Sequence, residues 1–263
     1  MLTRRPLHGV TVGLVLLLSP ALRAAQVRTQ NFLVEAPTPQ LAQQFGQMAE
    51  HYRKQKAVEW LGQEMPPWPK PCPLVVKPTM AGPQGATRFN YDFRGGYEVI
   101  DMNIAGDVER MLHSVLPHEV THTVFAHFFR CPVPRWADEG GAVLSEDDWA
   151  RRAHERVPPE ILRTPGRAFT LRQLLRLSDY PEDVGALYGQ GYSVTHFLVE
   201  SASRKTFLAF VGLGMRRDWD QAVRTHYRYK NVEEMERAWL RWQQDKSRPE
   251  PRNPPPDTRV AFP

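Results

Sequence analysis

Apolar positions in the first half of the chain follow two periods. Phe32-Leu33-Val34 is a short apolar run between Asn31 and Glu35, so residues 31–36 are predicted as a short strand, and residues 74–77 as another. Between them, residues 40–61 carry apolar side chains three and four apart, the spacing of an amphipathic helix. Alternation appears in residues 87–93 and 97–103, joined through Gly95-Gly96, which reads as a hairpin within a small mixed sheet. Tyr97 to Asn103 is the candidate edge strand, with an internal hairpin strand as the equal alternative.

The second half changes period. Residues 171–177, 188–202, 207–213, 218–226 and 232–244 all show helical spacing, so this half is predicted as a helical lobe. The expected class is α+β. Its parts are an N-terminal lobe (25–130) with the sheet and a central helix, and a helical C-terminal lobe (131–246). The proline-rich run at residues 247–263 cannot continue a helix or build a core, and is predicted as a disordered tail.

The N-terminus has its own pattern. Arg4 and Arg5 precede an apolar stretch at residues 10–18, followed by Ser19-Pro20 and the small residues Ala24 and Ala25. This is the layout of a secretory signal peptide covering residues 1–24, and the stretch is too short to span a bilayer. A secreted or periplasmic protein without a membrane span is expected. Removal of that segment takes three cations and no acid, so the formal charge falls from +5 to +2. The basic excess is therefore mostly in the leader. With no arginine-rich patch interleaved with aromatics, nucleic acid is not an expected partner. Cys72 and Cys131 leave open either a disulfide or two separate thiols.

Chemistry enters at His118-Glu119-Val120-Thr121-His122. Four residues of helix turn the chain to within about 40° of its starting direction, so both imidazoles can face one ion. Glu119 falls beside them, where a carboxylate can serve as general base to a water activated by the metal. His113 and His127 lie well around the helix and are read as structural. A catalytic zinc needs a third protein ligand, and Glu139 in Trp136-Ala137-Asp138-Glu139-Gly140-Gly141-Ala142 is the candidate. Pro132 and Pro134 break the first helix, so a second can bring Glu139 back to the histidines. Asp138 is the weaker choice of ligand. Phe125 and Phe128 occupy the places where metzincins carry glycine and a third histidine, which excludes that arrangement.

With these motifs the sequence resembles the gluzincins, the zinc metallopeptidase superfamily that includes thermolysin and the aminopeptidase-N-like enzymes. Trp136, Glu139, Gly140 and Ala142 match the W-x-N-E-G-x-A pattern, with Asp138 in place of asparagine. Tyr188 and Gly191 match the first and last positions of a Y-E-K-G segment whose tyrosine, in that family, hydrogen-bonds the oxyanion of the tetrahedral intermediate; Tyr192 is the alternative donor. The resemblance implies a zincin-like catalytic domain, one zinc held by His118, His122 and Glu139, Glu119 as base, and a peptide or protein substrate paired with an edge strand before the metal helix. The aminopeptidase element that holds a free amino terminus is absent upstream of His118, so exopeptidase action does not carry over. Two other readings stand beside this one: a non-catalytic binding module of the same fold, and a zinc hydrolase acting on a non-peptide bond.

Overall fold

The computed structural model describes residues 24–246; the signal peptide and proline-rich tail expected from the sequence lie outside these residues, apart from Ala24. The described chain is α+β, with one five-stranded sheet and a set of helices. Strands β1 (Ala25–Arg28) and β2 (Phe32–Ala36) form an antiparallel pair. Helix α1 (Pro39–Leu61) then crosses over to β3 (Cys72–Pro78), which runs parallel to β2. The helix starts with Thr38 accepting from the Leu41 N–H and a proline in its first turn, and ends at Gly62 in the left-handed conformation. Next come β4 (Gln84–Tyr91) and β5 (Tyr97–Gly106), and the sheet order is β1-β2-β3-β5-β4.

Of the two alternatives for residues 97–103, the structure takes the internal hairpin strand. The strand at 97–106 is internal, flanked by β3 and β4, and among the described residues the edge next to it is β4. β5 carries the longer alternating pattern because Met102 and Ile104 face the core.

After β5, helix α2 (Val108–Arg110), a π-helical turn (Met111–Val115) and helix α3 (Leu116–Phe129) follow without a break. Pro117 stands in the first turn of α3, the place in a helix where a proline is tolerated. The Leu116 N–H reaches back five residues to the Met111 carbonyl, and this wider turn accommodates a proline that has no N–H to give. Helices α4 (Arg135–Val143), α5 (Asp148–Arg163), α6 (Leu171–Leu175), α7 (Val184–Ser201), α8 (Arg204–Arg216), α9 (Trp219–Tyr227) and α10 (Val232–Lys246) complete the described chain.

Two buried clusters form the core. One lies between the sheet and the helices, with Phe32, Val34, Leu74, Met102 and Ile104 against Phe45, Leu116 and Val120. The other is the helical lobe, built on Trp136, Tyr192, Phe207, Phe210 and Trp239. Both α1 and α3 enter both clusters: Trp60 and Phe125 meet edge to face at 4.8 Å in the second, while Phe45 and Val120 belong to the first. The metal-motif helix is thus clamped along its length, and a Phe125→Ala cavity would cost about 3–5 kcal/mol.

Cys72 is buried in β3 and Cys131 is exposed beyond α3, and the two are not bridged. Burial pushes the Cys72 thiol up to about 12. No helix among the described residues is long and apolar enough to cross a membrane.

Candidate metal centre

The site lies where α3 and α4 meet, beneath the edge strand. Ligand atoms of His118, Glu119 and His122 all lie within 4.8 Å of one another. Glu139, entering from α4, comes closer to the imidazoles than that: its Oε2 is 3.4 Å from Nε2 of His118 and 3.8 Å from Nε2 of His122. All four side chains are nearly enclosed. Glu119 is turned towards the sheet, where its Oε2 accepts from the Thr87 hydroxyl at 2.6 Å. Gly85 makes room for that approach, because a β-carbon there would sit 2.2 Å from Glu119 Oε1.

Outer partners fix the rings. His118 donates from Nδ1 to Glu146 at 2.7 Å, and His122 donates from Nδ1 to Asp138 at 2.9 Å. Carboxylates can only accept, so Nδ1 is the protonated nitrogen in each neutral ring and the Nε2 lone pair faces inward. Asp138, the weaker ligand candidate in the sequence, thus serves the neighbouring histidine. Glu146 belongs to a ladder of three consecutive residues. Thr121 donates to Ser145, His118 to Glu146, and both Ser114 and Arg110 to Asp147, which ties the α4–α5 connection to successive turns of the α2–α3 rod.

A zinc ion fits this donor set. Two ligand atoms each about 2.0–2.1 Å from one ion at a tetrahedral angle lie about 3.3 Å apart, close to the observed nitrogen-to-oxygen separations. Oε2 of Glu139 is moreover a buried oxygen with no hydrogen-bond partner among the described residues, an arrangement that a bound cation would offset. Without one, protons take that place. Burial disfavours an imidazolium at His118, but Glu139 and Glu146 outweigh it and hold the group well above its ordinary value. His122 is likewise buried, yet Asp138 and Glu139 push it up to about 9. Glu139 is held far below the usual carboxylate range, burial being outweighed by His118 and His122.

Two tyrosines reach the site from the helical lobe. Tyr188 lines the cleft, and burial followed by the Glu139 charge raises its phenol well above the ordinary value. Tyr192 is directed elsewhere: it is buried and donates to Glu155 at 3.0 Å. Tyr180, which the sequence analysis does not single out, donates to Glu139 Oε1 at 2.5 Å. His154 stacks on Tyr188 with ring centroids 6.3 Å apart. His127 is placed away from the site, its Nδ1 3.1 Å from the Tyr97 hydroxyl, and His113 pairs with Glu109. Tyr180, Glu146 and Thr87 carry no local motif; each arrives through a connection or a strand pairing, and only the fold brings it in.

The surrounding cleft has a volume of about 1050 Å³, with β4 along one side and α5 and Tyr180 along the other. No known protein family matches the sequence, and no curated protein matches it. The likeness to gluzincins therefore rests on the residues described above.

Proposed function

We propose that the protein is a zinc-dependent hydrolase of gluzincin type that cleaves peptide bonds, with His118, His122 and Glu139 as ligands. The observation that carries this reading is the bare, buried Oε2 of Glu139 facing two imidazole nitrogens whose other nitrogens are already held by carboxylates. The zincin-like fold and action outside the cytoplasm belong to the same proposal.

Bound zinc supplies Lewis acidity to the attacking water and the scissile carbonyl. Glu119 takes the proton of the attacking water and returns it to the leaving amine, a task for which Thr87 orients the carboxylate. Tyr188 donates to the oxygen that gains charge along the reaction path. The ladder from Ser145 to Asp147 holds these groups at fixed spacing, which lowers the cost of reorganisation.

Peptide is favoured over other substrates by the edge strand. Among the described residues β4 is unpaired on its outer side, so an extended chain can add to it through main-chain hydrogen bonds. The arginines lining the cleft each carry an acidic partner: Arg88 pairs with Asp101, Arg110 with Asp147 at 2.9 Å and Arg135 with Asp138 at 4.0 Å. Side-chain selection then falls to apolar surfaces such as Phe89, Val133 and Trp149, the last 68% exposed.

The test is to incubate the mature protein and Glu119→Gln with a broad peptide mixture and read products by mass spectrometry, alongside metal analysis. About one zinc per chain in both proteins is expected, with cleavage only by the first. Zinc without cleavage in either protein would favour a binding module or a non-peptide substrate. Equal zinc in wild type, His118→Ala, His122→Ala and Glu139→Ala would overturn the site.

A further inference from the structure

The two oxygens of Glu139 have different surroundings. Oε2 is the bare atom facing the imidazoles, while Oε1 accepts from the Tyr180 hydroxyl at 2.5 Å. Tyr180 lies in the connection between α6 and α7, with 47% of its surface exposed. That connection is fastened to the start of α4 at two further points. The Arg135 guanidinium stands 4.7 Å from the Tyr180 ring centroid, and the Arg135 N–H donates to the Leu177 carbonyl at 3.4 Å. The phenol is thus held against a carboxylate four residues further along α4.

We propose that Tyr180 is a positioning residue for the metal, acting through Glu139. Its hydroxyl occupies Oε1 and leaves Oε2 as the single ligand atom. A carboxylate with both oxygens free can grip a cation through two of them, taking up the position that water or substrate needs. A donor on one oxygen removes that option and fixes the plane of the other. The resulting site has three protein ligands and one open place. This inference rests on the zinc-hydrolase reading and adds to it a residue outside the motif helices. A phenol that merely packs on the surface would have no effect on metal affinity.

The experiment measures zinc dissociation constants of the full chain at one pH, by competition with a chromophoric chelator. Tyr180→Phe keeps the ring on Arg135 and removes only the hydroxyl; it should weaken zinc binding about 10–100-fold, the usual effect of losing an outer-shell partner. Tyr192→Phe, whose hydroxyl serves Glu155, should bind as wild type does. In a Glu139→Gln background, Tyr180→Phe should add little, because the residue acts through that carboxylate. With cobalt(II) in place of zinc, Tyr180→Phe should show weaker visible absorption as the freed oxygen raises the coordination number. An affinity for Tyr180→Phe within about twofold of wild type overturns the inference, as does a full additional loss in the Glu139→Gln background. If Glu139→Gln itself binds zinc as tightly as wild type, the metal site fails and the inference fails with it, a result distinct from a silent Tyr180→Phe.

Discussion

Gly140 of α4 lies so close to Gly191 of α7 that a β-carbon on Gly140 would sit 2.5 Å from the Gly191 carbonyl oxygen. The converse holds as well, since a β-carbon on Gly191 would meet the Trp136 carbonyl oxygen at 2.9 Å. These are backbone contacts, which cannot yield by rotating a side chain. The glycines of the two motifs thus have a shared physical role: they let the helices carrying Glu139 and Tyr188 touch, so that both side chains reach one cleft.

Gly140→Ala and Gly191→Ala should each lower unfolding free energy by about 1–3 kcal/mol, the range for overpacking, and also reduce zinc content. Gly185→Ala, where the added carbon meets only Asp183 at an ordinary 3.4 Å, should be neutral or slightly stabilising. Urea titration of the three variants checks this. Equal stability of all three would remove the close crossing as the reason for the glycines.

Zinc uptake should release protons. In the metal-free fold His118 is held well above its ordinary value and His122 at about 9, so both rings are largely protonated at neutral pH and must lose that proton to bind. Calorimetry in buffers of differing ionisation enthalpy should show about one to two protons released, and affinity should rise with pH. The metal-free protein should behave oppositely. A raised folded-state value contributes stability fully below the ordinary 6.5 and loses it as pH climbs towards about 9, so its melting temperature should fall over that window. A flat profile in both measurements would contradict the protonated cluster.

The outer carboxylates should matter separately from the ligands. Asp138→Asn and Glu146→Gln each weaken an acceptor for an Nδ1 proton, so zinc affinity should drop about 10–100-fold while Glu119 and its Thr87 contact stay in place. Chelator competition decides. Wild-type affinity in both variants would show that the rings are fixed by packing alone.

The two helical tyrosines should separate by readout. Tyr188→Phe should lower kcat by about 10–10³, the effect of losing a donor to the developing oxyanion, with a smaller loss of zinc affinity because its phenol also lies against Glu139. Tyr192→Phe breaks a hydrogen bond from a buried ring to Glu155 and should cost about 1 kcal/mol of stability with little effect on rate. A rate loss confined to Tyr192→Phe would transfer the role.

What the sequence made legible is what repeats within one helix or strand. His118, Glu119 and His122 share a helical face by spacing, and Glu139 is found through its own motif. The residues that complete the site come from connections and strand pairing, as Tyr180, Glu146 and Thr87 do, and no local period marks them. The edge stayed open between two strands for a related reason: β4 begins Gln84-Gly85-Ala86, where a glycine stands against Glu119 and breaks the alternation, so β5 looks like the cleaner strand. α5 was missed because Asp148–Arg163 is largely polar and contains Pro158 and Pro159.

The contact between Thr87 and Glu119 joins the proposed base to the outermost strand of the sheet. A peptide laid along β4 would load the strand that steadies the proton-accepting carboxylate, so occupancy of the groove and alignment of the base are mechanically one event. Substrates too short to engage β4 should then be turned over slowly even when they reach the metal.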